Sequence, residues 1–175
     1  INQFAKFYNA DDIEPREFYG NCYNGNADLY TTMSYLPHVD TFPGADEDIN
    51  PLNDYAFNLN VTKSDKVNTA FYSFNGKKSV CDWTPDDYDD HDRVRDRHRK
   101  IKAKDWRLLS SENFQNYQLE YVANIEYNSL ILYPSHYWHS VYIKEDWFTD
   151  TDRVTFTGFF ETKTTSSKRK KLGFG

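Results

Sequence analysis

Several residue types on which whole classes of protein depend are scarce in this sequence. Its 175 residues include two cysteines, Cys22 and Cys81, which lie far apart and outside any CxxC motif. No apolar segment approaches the roughly 20 residues of a membrane span, and the mean hydropathy is -0.87. These absences exclude a disulfide scaffold and a membrane-spanning protein, and they favour a reducing compartment such as the cytoplasm.

Aliphatic residues are also few, and aromatic residues take their place. Isoleucine, leucine and valine total 25, whereas Tyr (14), Phe (13) and Trp (4) total 31. Aromatic and β-branched side chains suit the pleated surface of a sheet, so the composition favours β structure. We expect aromatic residues on the predicted strands, such as Tyr55, Phe57, Tyr133 and Phe156, to form the core and the walls of a site.

Hydrophobic patterning predicts a series of short strands. Over residues 54–61, large apolar side chains alternate with small or polar ones, which is the period of two that a half-buried strand requires. Asn75-Gly76 predicts a tight hairpin turn after one of the strands. Short strands without strand–helix alternation predict an antiparallel sandwich or barrel. The other β-prone segments are 27–40, 69–74, 118–127, 129–133, 139–143 and 153–160.

The remaining segments are assigned to helices, loops and a tail around one domain. Residues 1–20 predict one or two short helices, and the proline- and glycine-containing residues 41–53 predict a loop. Residues 82–107 place six aspartates before eight basic residues, and we interpret them as a charged surface insertion that is helical in its second half. We therefore predict a single domain over residues 1–162 with that insertion, followed by a basic, flexible tail over residues 163–175.

The charge distribution bears on possible partners. The net charge is -6, although four positive charges lie together at residues 168–171. An acidic body disfavours broad contact with nucleic acid, which needs a basic footprint. Nucleic acid is therefore disfavoured as a partner, and the basic stretches 93–107 and 168–171 keep it open as an alternative.

Two of the five histidines lie in a pattern that suits a metal ion. His38 and Asp40 are two residues apart, and such residues point to the same face of a strand. One strand end can therefore present an imidazole and a carboxylate together, while His139 begins a later predicted strand. Two histidines and one carboxylate can bind Fe(II) on one face and leave other positions open.

A second group of residues suits an anion. Arg153 begins the next predicted strand, and Thr155 lies on the same face of it. A guanidinium beside a hydroxyl is suited to binding a carboxylate. Two alternatives remain open for the metal: His136 as the later histidine, and a separate pair formed by His91 and His98 in the charged insertion.

With these residues the sequence resembles the Fe(II)/2-oxoglutarate-dependent oxygenase superfamily, over about residues 30–160. The similarity is to the small members found in phages and marine bacteria. Thr155 stands where serine is usual in that superfamily, and the glycines that usually precede Thr69 are absent here. The resemblance rests on Pro37-His38-Val39-Asp40, Asn58-Leu59-Asn60, Asn68-Thr69-Ala70-Phe71-Tyr72, Leu132-Tyr133-Pro134-Ser135, Trp138-His139-Ser140-Val141 and Arg153-Val154-Thr155.

The resemblance implies a mainly β (α+β) fold, a double-stranded β-helix or jelly-roll with N-terminal helices packed on one sheet. It implies that His38, Asp40 and His139 hold Fe(II). It further implies that Arg153 pairs with the distal carboxylate of 2-oxoglutarate and that Thr155 hydrogen-bonds it. Candidates for the other end of this co-substrate are Tyr30, Tyr35, Tyr55, Tyr72 and Asn58.

The implied activity is that of a dioxygenase. Such an enzyme consumes O2 and 2-oxoglutarate, releases succinate and CO2, and hydroxylates its substrate. Asp40 favours hydroxylation, because the related halogenases lack this carboxylate so that chloride can bind. The expected substrate is a small molecule, or an amino-acid or peptide side chain, in the cytoplasm of a bacterium or of an infected host cell. The main alternative is a catalytically inactive jelly-roll that serves as a structural or partner-binding module.

Overall fold

Strands dominate the described part of the chain. The computed structural model describes residues 12–23, 37–44, 50–98, 116–144, 147–148 and 151–163. Within these ranges one α-helix, α1 (Pro85–His98), lies between the third and fourth strands, and short 3-10 helices cover Pro51–Asn53 and Val80–Asp82. The strands are β1 (Asp12–Tyr23), β2 (Asp54–Asn60), β3 (Asn68–Phe74), β4 (Tyr117–Asn124), β5 (Leu130–Pro134), β6 (His139–Tyr142) and β7 (Arg153–Lys163).

The strands form two antiparallel sheets. One has four strands in the order β1-β7-β2-β5, and the other has three in the order β4-β3-β6. Beside β6, His38 and His139 exchange two backbone hydrogen bonds of 2.9 Å, so the segment around His38 continues the three-stranded sheet at its edge. The prediction of a mainly β, antiparallel architecture is confirmed.

Among the described residues, two clusters of buried apolar side chains stabilise this arrangement. The larger one joins β3 to Val94 of α1 and to Trp138, so the helix packs on one face of the three-stranded sheet. The smaller one comprises Ala56, Tyr133 and Phe159 of the four-stranded sheet, with the partly buried Phe71 and Ile131 packed against it. Because Phe71 belongs to β3, this second cluster lies between the two sheets.

The helices predicted over residues 1–20 are wrong for the described residues of that range. Residues 12–20 belong to β1, which pairs with β7 from Asp12 opposite Lys163 to Tyr23 opposite Arg153. Pairing along a whole neighbouring strand overrides local propensity, and Pro15 is tolerated because β1 is an edge strand. Residues 1–11 lie outside the described residues, so N-terminal helices packed on a sheet are not found in the part of the chain that is described.

Helix α1 begins earlier within the charged insertion than predicted. Its first residue is a proline, followed by Asp86 and Asp87, and acidic residues are favourable in a first turn. The Asp87 carboxylate accepts hydrogen bonds from the backbone N–H (2.7 Å) and hydroxyl (2.6 Å) of Thr84. The acidic block therefore starts the helix instead of preceding it, and residues 99–107 lie outside the described residues. No helix in the described ranges combines the length and apolarity needed to cross a membrane.

The other predicted strands occur close to their expected positions. Strands β2 to β7 each overlap a predicted segment, and Asn75-Gly76 forms the turn after β3 with positive φ at both residues. Of the β-prone segment 27–40, only residues 37–40 are described, and there His38 forms an isolated bridge with His139. The predicted tail lies outside the described residues from position 164 onward.

Candidate metal centre

The structure brings His38, Asp40 and His139 together. One ligand atom from each of the three side chains lies within 4.8 Å of the others. The His38 Nε2 atom is 3.8 Å from Asp40 Oδ1, and the His139 Nε2 atom is 3.4 Å from Asp40 Oδ2. Among the described residues, no other group of three histidine, cysteine or acidic side chains comes this close. The backbone pairing of His38 with His139 brings these distant parts of the sequence together.

His139 is oriented for binding through its Nε2 atom. Its Nδ1–H donates to the backbone carbonyl of Tyr137 at 2.9 Å, so the lone pair is on Nε2, which faces Asp40. Burial lowers the pKa of His139 to about 4, and the attraction of Asp40 for the imidazolium offsets this only in part. The imidazole is therefore neutral at pH 7, which is the form that binds a metal ion.

Asp40 supplies a buried oxygen that lacks a donor. Its side chain is 12% exposed, and Oδ2 has no hydrogen-bond partner among the described residues. Leaving a buried carboxylate oxygen unsatisfied costs free energy unless a ligand compensates for it. Two imidazoles beside this carboxylate, one near each of its oxygens, fit a divalent cation that prefers nitrogen and oxygen ligands.

A polar cavity of about 110 Å³ adjoins the three side chains. It lies between the two sheets, and its wall includes Arg153 and Thr155. Its volume is below the roughly 300–1,000 Å³ of pockets for drug-sized ligands, so it suits a smaller molecule. Further residues in the wall are Asn21, Asn58, Thr69, Tyr133, Ser140 and Thr157.

Arg153 and Thr155 lie together in this wall, as predicted from their spacing. Both side chains are buried, and Arg153 Nη1 donates to Thr155 Oγ1 at 3.3 Å. A buried guanidinium in the wall of a cavity attracts an anion, and a carboxylate matches its forked N–H groups. The cavity therefore joins three potential metal ligands to a site for an anionic group.

A row of hydrogen bonds across the four-stranded sheet forms another part of the wall. Asn21 Nδ2 donates to Thr157 Oγ1 (2.8 Å), and Thr157 Oγ1 donates to Asn58 Oδ1 (2.6 Å). Asn58 Nδ2 in turn donates to the Tyr133 hydroxyl (3.0 Å). Because that hydroxyl accepts from Asn58, its own proton remains to be donated. Burial raises the pKa of Tyr133 well above its usual range, so the phenol keeps this proton at neutral pH.

Tyr133 is one of the aromatic residues expected in the core and the walls of a site, but it is not one of the five candidates for binding the second end of the co-substrate. Of those five candidates, Asn58 alone lines the cavity among the described residues. Tyr55 lies on the opposite face of β2, Tyr72 is part of the buried cluster beneath α1, and Tyr30 and Tyr35 lie outside the described residues. Tyr133 lines the cavity, and its hydrogen bond from Asn58 joins residues far apart in sequence.

The alternative histidines are not part of the group formed by His38, Asp40 and His139. His136 does not line the cavity, and its Nδ1–H donates to the backbone carbonyl of Pro51 at 2.7 Å. His91 packs against aromatic rings of the larger core cluster, with its ring centroid 5.2 Å from that of Trp138. Burial lowers the pKa of both His91 and His136, so both are neutral at pH 7. The side chain of His98 lies outside the described residues.

A scan against protein-family models found no match for this chain, and a search of the curated proteins found no significantly similar sequence.

What the cavity can bind follows from the chemistry of the groups in its wall. The wall contains two imidazole nitrogens and a carboxylate, together with a guanidinium and a hydroxyl. A divalent cation and a small anion bound by Arg153 would satisfy both sets of groups.

Proposed function

We propose that this chain is an Fe(II)- and 2-oxoglutarate-dependent dioxygenase that hydroxylates a small molecule or an amino-acid or peptide side chain. One observation carries the proposal: the wall of a single cavity contains His38, Asp40 and His139 together with the buried pair of Arg153 and Thr155. Two histidines and one carboxylate with open positions are typical of non-haem Fe(II) oxygenases. A dicarboxylic keto acid matches both a metal ion and a guanidinium.

The residues present fit the metal. His139 offers a neutral nitrogen whose tautomer is set by Tyr137, and Asp40 offers the buried oxygen without a donor. Bound there, Fe(II) would activate O2 with electrons from 2-oxoglutarate, which becomes succinate and CO2 as the substrate is hydroxylated.

The chain's own residues hold and orient the co-substrate in this proposal. Arg153 and Thr155 bind its distal carboxylate through charge-assisted hydrogen bonds. Tyr133, whose hydroxyl accepts from Asn58, donates its remaining proton to an acceptor oxygen of the same molecule. Three donors at fixed positions would restrict how the keto acid can lie in the cavity.

The order of the strands supports a jelly-roll. The chain runs from β1 in the four-stranded sheet to the segment around His38 beside β6, and then back to β2. It continues through β3 and β4 in the three-stranded sheet, and then alternates between the sheets through β5, β6 and β7. Two antiparallel sheets connected by repeated crossings of this kind are the arrangement of a jelly-roll, and we propose this fold for the chain.

The metal site is tested with Mn(II), which is a stable substitute for Fe(II) in air. We expect the purified chain to bind one Mn(II), as measured by the loss of the free-ion signal in electron paramagnetic resonance. His139→Ala is expected to abolish binding, whereas the matched control His136→Ala leaves it intact, because His136 bonds to Pro51 instead of facing Asp40. A wild-type chain that binds no Mn(II) would contradict the proposal and favour an inactive partner-binding module.

The co-substrate is tested by succinate formation and by titration of the Mn(II)-loaded protein. Succinate is expected to form from 2-oxoglutarate with Fe(II) and O2, and Arg153→Met is expected to weaken 2-oxoglutarate binding about 10- to 100-fold, the range for a lost bond to a charged group. Pyruvate, which lacks the distal carboxylate, is the control ligand, and its weak binding should be equal in the two proteins. Equal affinity of both proteins for 2-oxoglutarate would disprove the role of Arg153.

A further inference from the structure

A second aspartate lies directly behind the candidate metal ligands. Asp54 begins β2, is fully buried and is not part of the cavity wall. Its Oδ2 atom accepts hydrogen bonds from the hydroxyls of Thr41 (2.5 Å) and Ser135 (2.6 Å). Its Oδ1 atom pairs with Arg16 Nη1 at 2.6 Å. The carboxylate is therefore satisfied by three donors from three separate parts of the chain.

These donors connect Asp54 to the backbone of Asp40. Thr41 directly follows Asp40 in the chain, and the Asp40 N–H donates to the carbonyl of Ser135 at 2.9 Å. Ser135 is itself bound to Asp54 twice, through its hydroxyl and through its N–H, which donates to the Asp54 carbonyl at 3.1 Å. The backbone on both sides of the Asp40 side chain is thus linked to Asp54. The Asp40 N–H is bonded to Ser135, and the next residue is Thr41, and both Ser135 and Thr41 are hydrogen-bonded to Asp54.

The position of the Asp40 carboxylate depends on this backbone anchor. Its Oδ2 atom has no hydrogen-bond partner among the described residues, so no hydrogen bond to that atom orients it. On the other side of the segment, His38 is fixed by its two backbone bonds with His139. Strand pairing therefore fixes one end of the segment from His38 to Asp40, and the residues bound to Asp54 fix the other.

A β-bulge supplies the cation that a buried carboxylate requires. The register of β1 against β7 shifts between Pro15 and Phe18, and Arg16 lies in that irregularity. Bulges re-aim side chains, and here the guanidinium reaches Asp54. A buried carboxylate is tolerated when it is paired and hydrogen-bonded, so the bulge, Arg16 and Asp54 act as one unit.

We propose that Asp54, acting through Thr41 and Ser135, is a positioning residue for the Asp40 ligand. The inference rests on the proposed metal site and assigns to Asp54 no contact with metal or co-substrate. Residues that orient metal ligands from behind typically change metal affinity about 10- to 100-fold when they are mutated. Loss of the bond between Thr41 and Asp54 is expected to weaken metal binding by a factor in this range.

The test compares two threonines that are equally buried. Thr41 and Thr162 are each 6% exposed, and each donates a hydrogen bond, Thr41 to Asp54 and Thr162 to the carbonyl of Asn53 at 3.2 Å. Thr41→Val is expected to lower Mn(II) affinity about 10- to 100-fold, whereas Thr162→Val lowers only the midpoint of urea unfolding. Thr41→Ser retains the hydroxyl and is expected to restore the wild-type affinity, which a general loss of stability would not do.

A metal-free measurement separates this inference from the proposed function. Exchange of the Asp40 amide hydrogen with solvent is expected to be faster in Thr41→Val than in the wild type and in Thr162→Val. Ser135→Ala removes the other hydroxyl bonded to Asp54 and is expected to change Mn(II) affinity and exchange in the same direction. Wild-type affinity or unchanged exchange in both Thr41→Val and Ser135→Ala would overturn the positioning role. A wild-type chain without Mn(II) binding but with this exchange pattern would instead contradict the metal site alone.

Discussion

Asp40 and Asp54 lie close together in the fold, and their surroundings differ in how well each carboxylate is satisfied. Asp54 is completely buried, and Arg16, Thr41 and Ser135 all donate to it. Asp40 keeps an oxygen with no hydrogen-bond partner among the described residues, facing His139. The carboxylate of Asp54 is therefore hydrogen-bonded within the protein, whereas that of Asp40 has an oxygen that can bind a ligand.

The same contrast recurs among the hydroxyls that line the cavity. Thr157 accepts from Asn21 and donates to Asn58, so its hydroxyl is fully used. Thr69 is 2% exposed, and its Oγ1 atom has no hydrogen-bond partner among the described residues. The cavity wall therefore contains both hydroxyls that the protein satisfies, such as that of Thr157, and one that has no partner among the described residues, that of Thr69.

The largest expected difference is in the stability of the metal-free protein. Asp54→Ala leaves the partly exposed Arg16 and two buried hydroxyls without their partner. Each buried polar group left unsatisfied costs about 1–3 kcal/mol, so the two hydroxyls alone predict a loss of about 2–6 kcal/mol of unfolding free energy. Asp40→Ala removes an oxygen that is already unsatisfied, so the expected loss is below about 1 kcal/mol. Urea unfolding in the presence of a chelator measures both. Equal losses in the two variants would show that the two carboxylates do not differ as described.

The stabilisation that bound metal provides is expected to depend on Asp40. Mn(II) at 100 times its dissociation constant should raise the unfolding free energy of the wild type by about 2.7 kcal/mol, because it binds only the folded state. Asp40→Ala is expected to gain nothing from the metal. His136→Ala is the control and should gain as much as the wild type. A metal-induced gain that survives in Asp40→Ala would remove Asp40 from the set of ligands.

Acid is expected to weaken the metal-free protein through His139. The folded pKa of about 4 lies below the value near 6.5 of an unfolded histidine. Between these values the unfolded chain binds the proton and the folded chain does not, so stability falls as the pH decreases. The expected loss from pH 7.5 to pH 5 is about 2 kcal/mol for this group.

The variant His139→Asn isolates that contribution. Burial also lowers the pKa of His136, so the wild type loses stability in acid from more than one histidine. His139→Asn should therefore lose less stability between pH 7.5 and pH 5 than the wild type, whereas His136→Asn retains the part due to His139. Identical pH profiles of the wild type and His139→Asn in urea unfolding would show that burial of His139 has no such effect.

The smallest expected effect distinguishes the two threonines of the cavity. Thr157→Val removes a hydroxyl that is bonded on both sides, and a net loss of about 1 kcal/mol is expected for a typical hydrogen bond. Thr69→Val removes a hydroxyl without a partner, so its stability should stay within about 0.5 kcal/mol of the wild type or increase. Thermal or urea unfolding of the two variants measures these changes in stability. A larger loss of stability in Thr69→Val than in Thr157→Val would mean that the Thr69 hydroxyl is hydrogen-bonded.

Much of the candidate site could be predicted from the sequence because its spacing follows the geometry of a strand. His38 and Asp40 are two residues apart, as are Arg153 and Thr155, and each pair lies in the cavity wall. The hydrogen-bonding role of Tyr133 could not be predicted in the same way. It depends on a hydrogen bond from Asn58, and no spacing in the sequence reports on a contact between two strands.

The faces of β2 show a second limit of sequence patterns. Alternation correctly predicted the strand, yet the expectation that Tyr55 and Phe57 line the site is wrong. The buried positions of β2 are Asp54, Ala56, Asn58 and Asn60. On the other face of the sheet, Phe57 and Phe156 pack against the half-exposed ring of Phe18, at 6.0 and 5.4 Å between ring centroids. A period of two reports that the two faces differ and leaves open which one lies inside.

The sequence alone determined the mainly β architecture, the positions of six strands and the residue types of the candidate metal centre. These features depend on local periodicity and on spacings within one strand, which are properties of neighbouring residues. The tertiary structure decided that residues 12–20 form a strand, that the inner face of β2 is polar and that Asp54 supports Asp40. Each of these depends on which distant segments meet, because strand pairing and the burial of a charge are satisfied by partners far away in the chain.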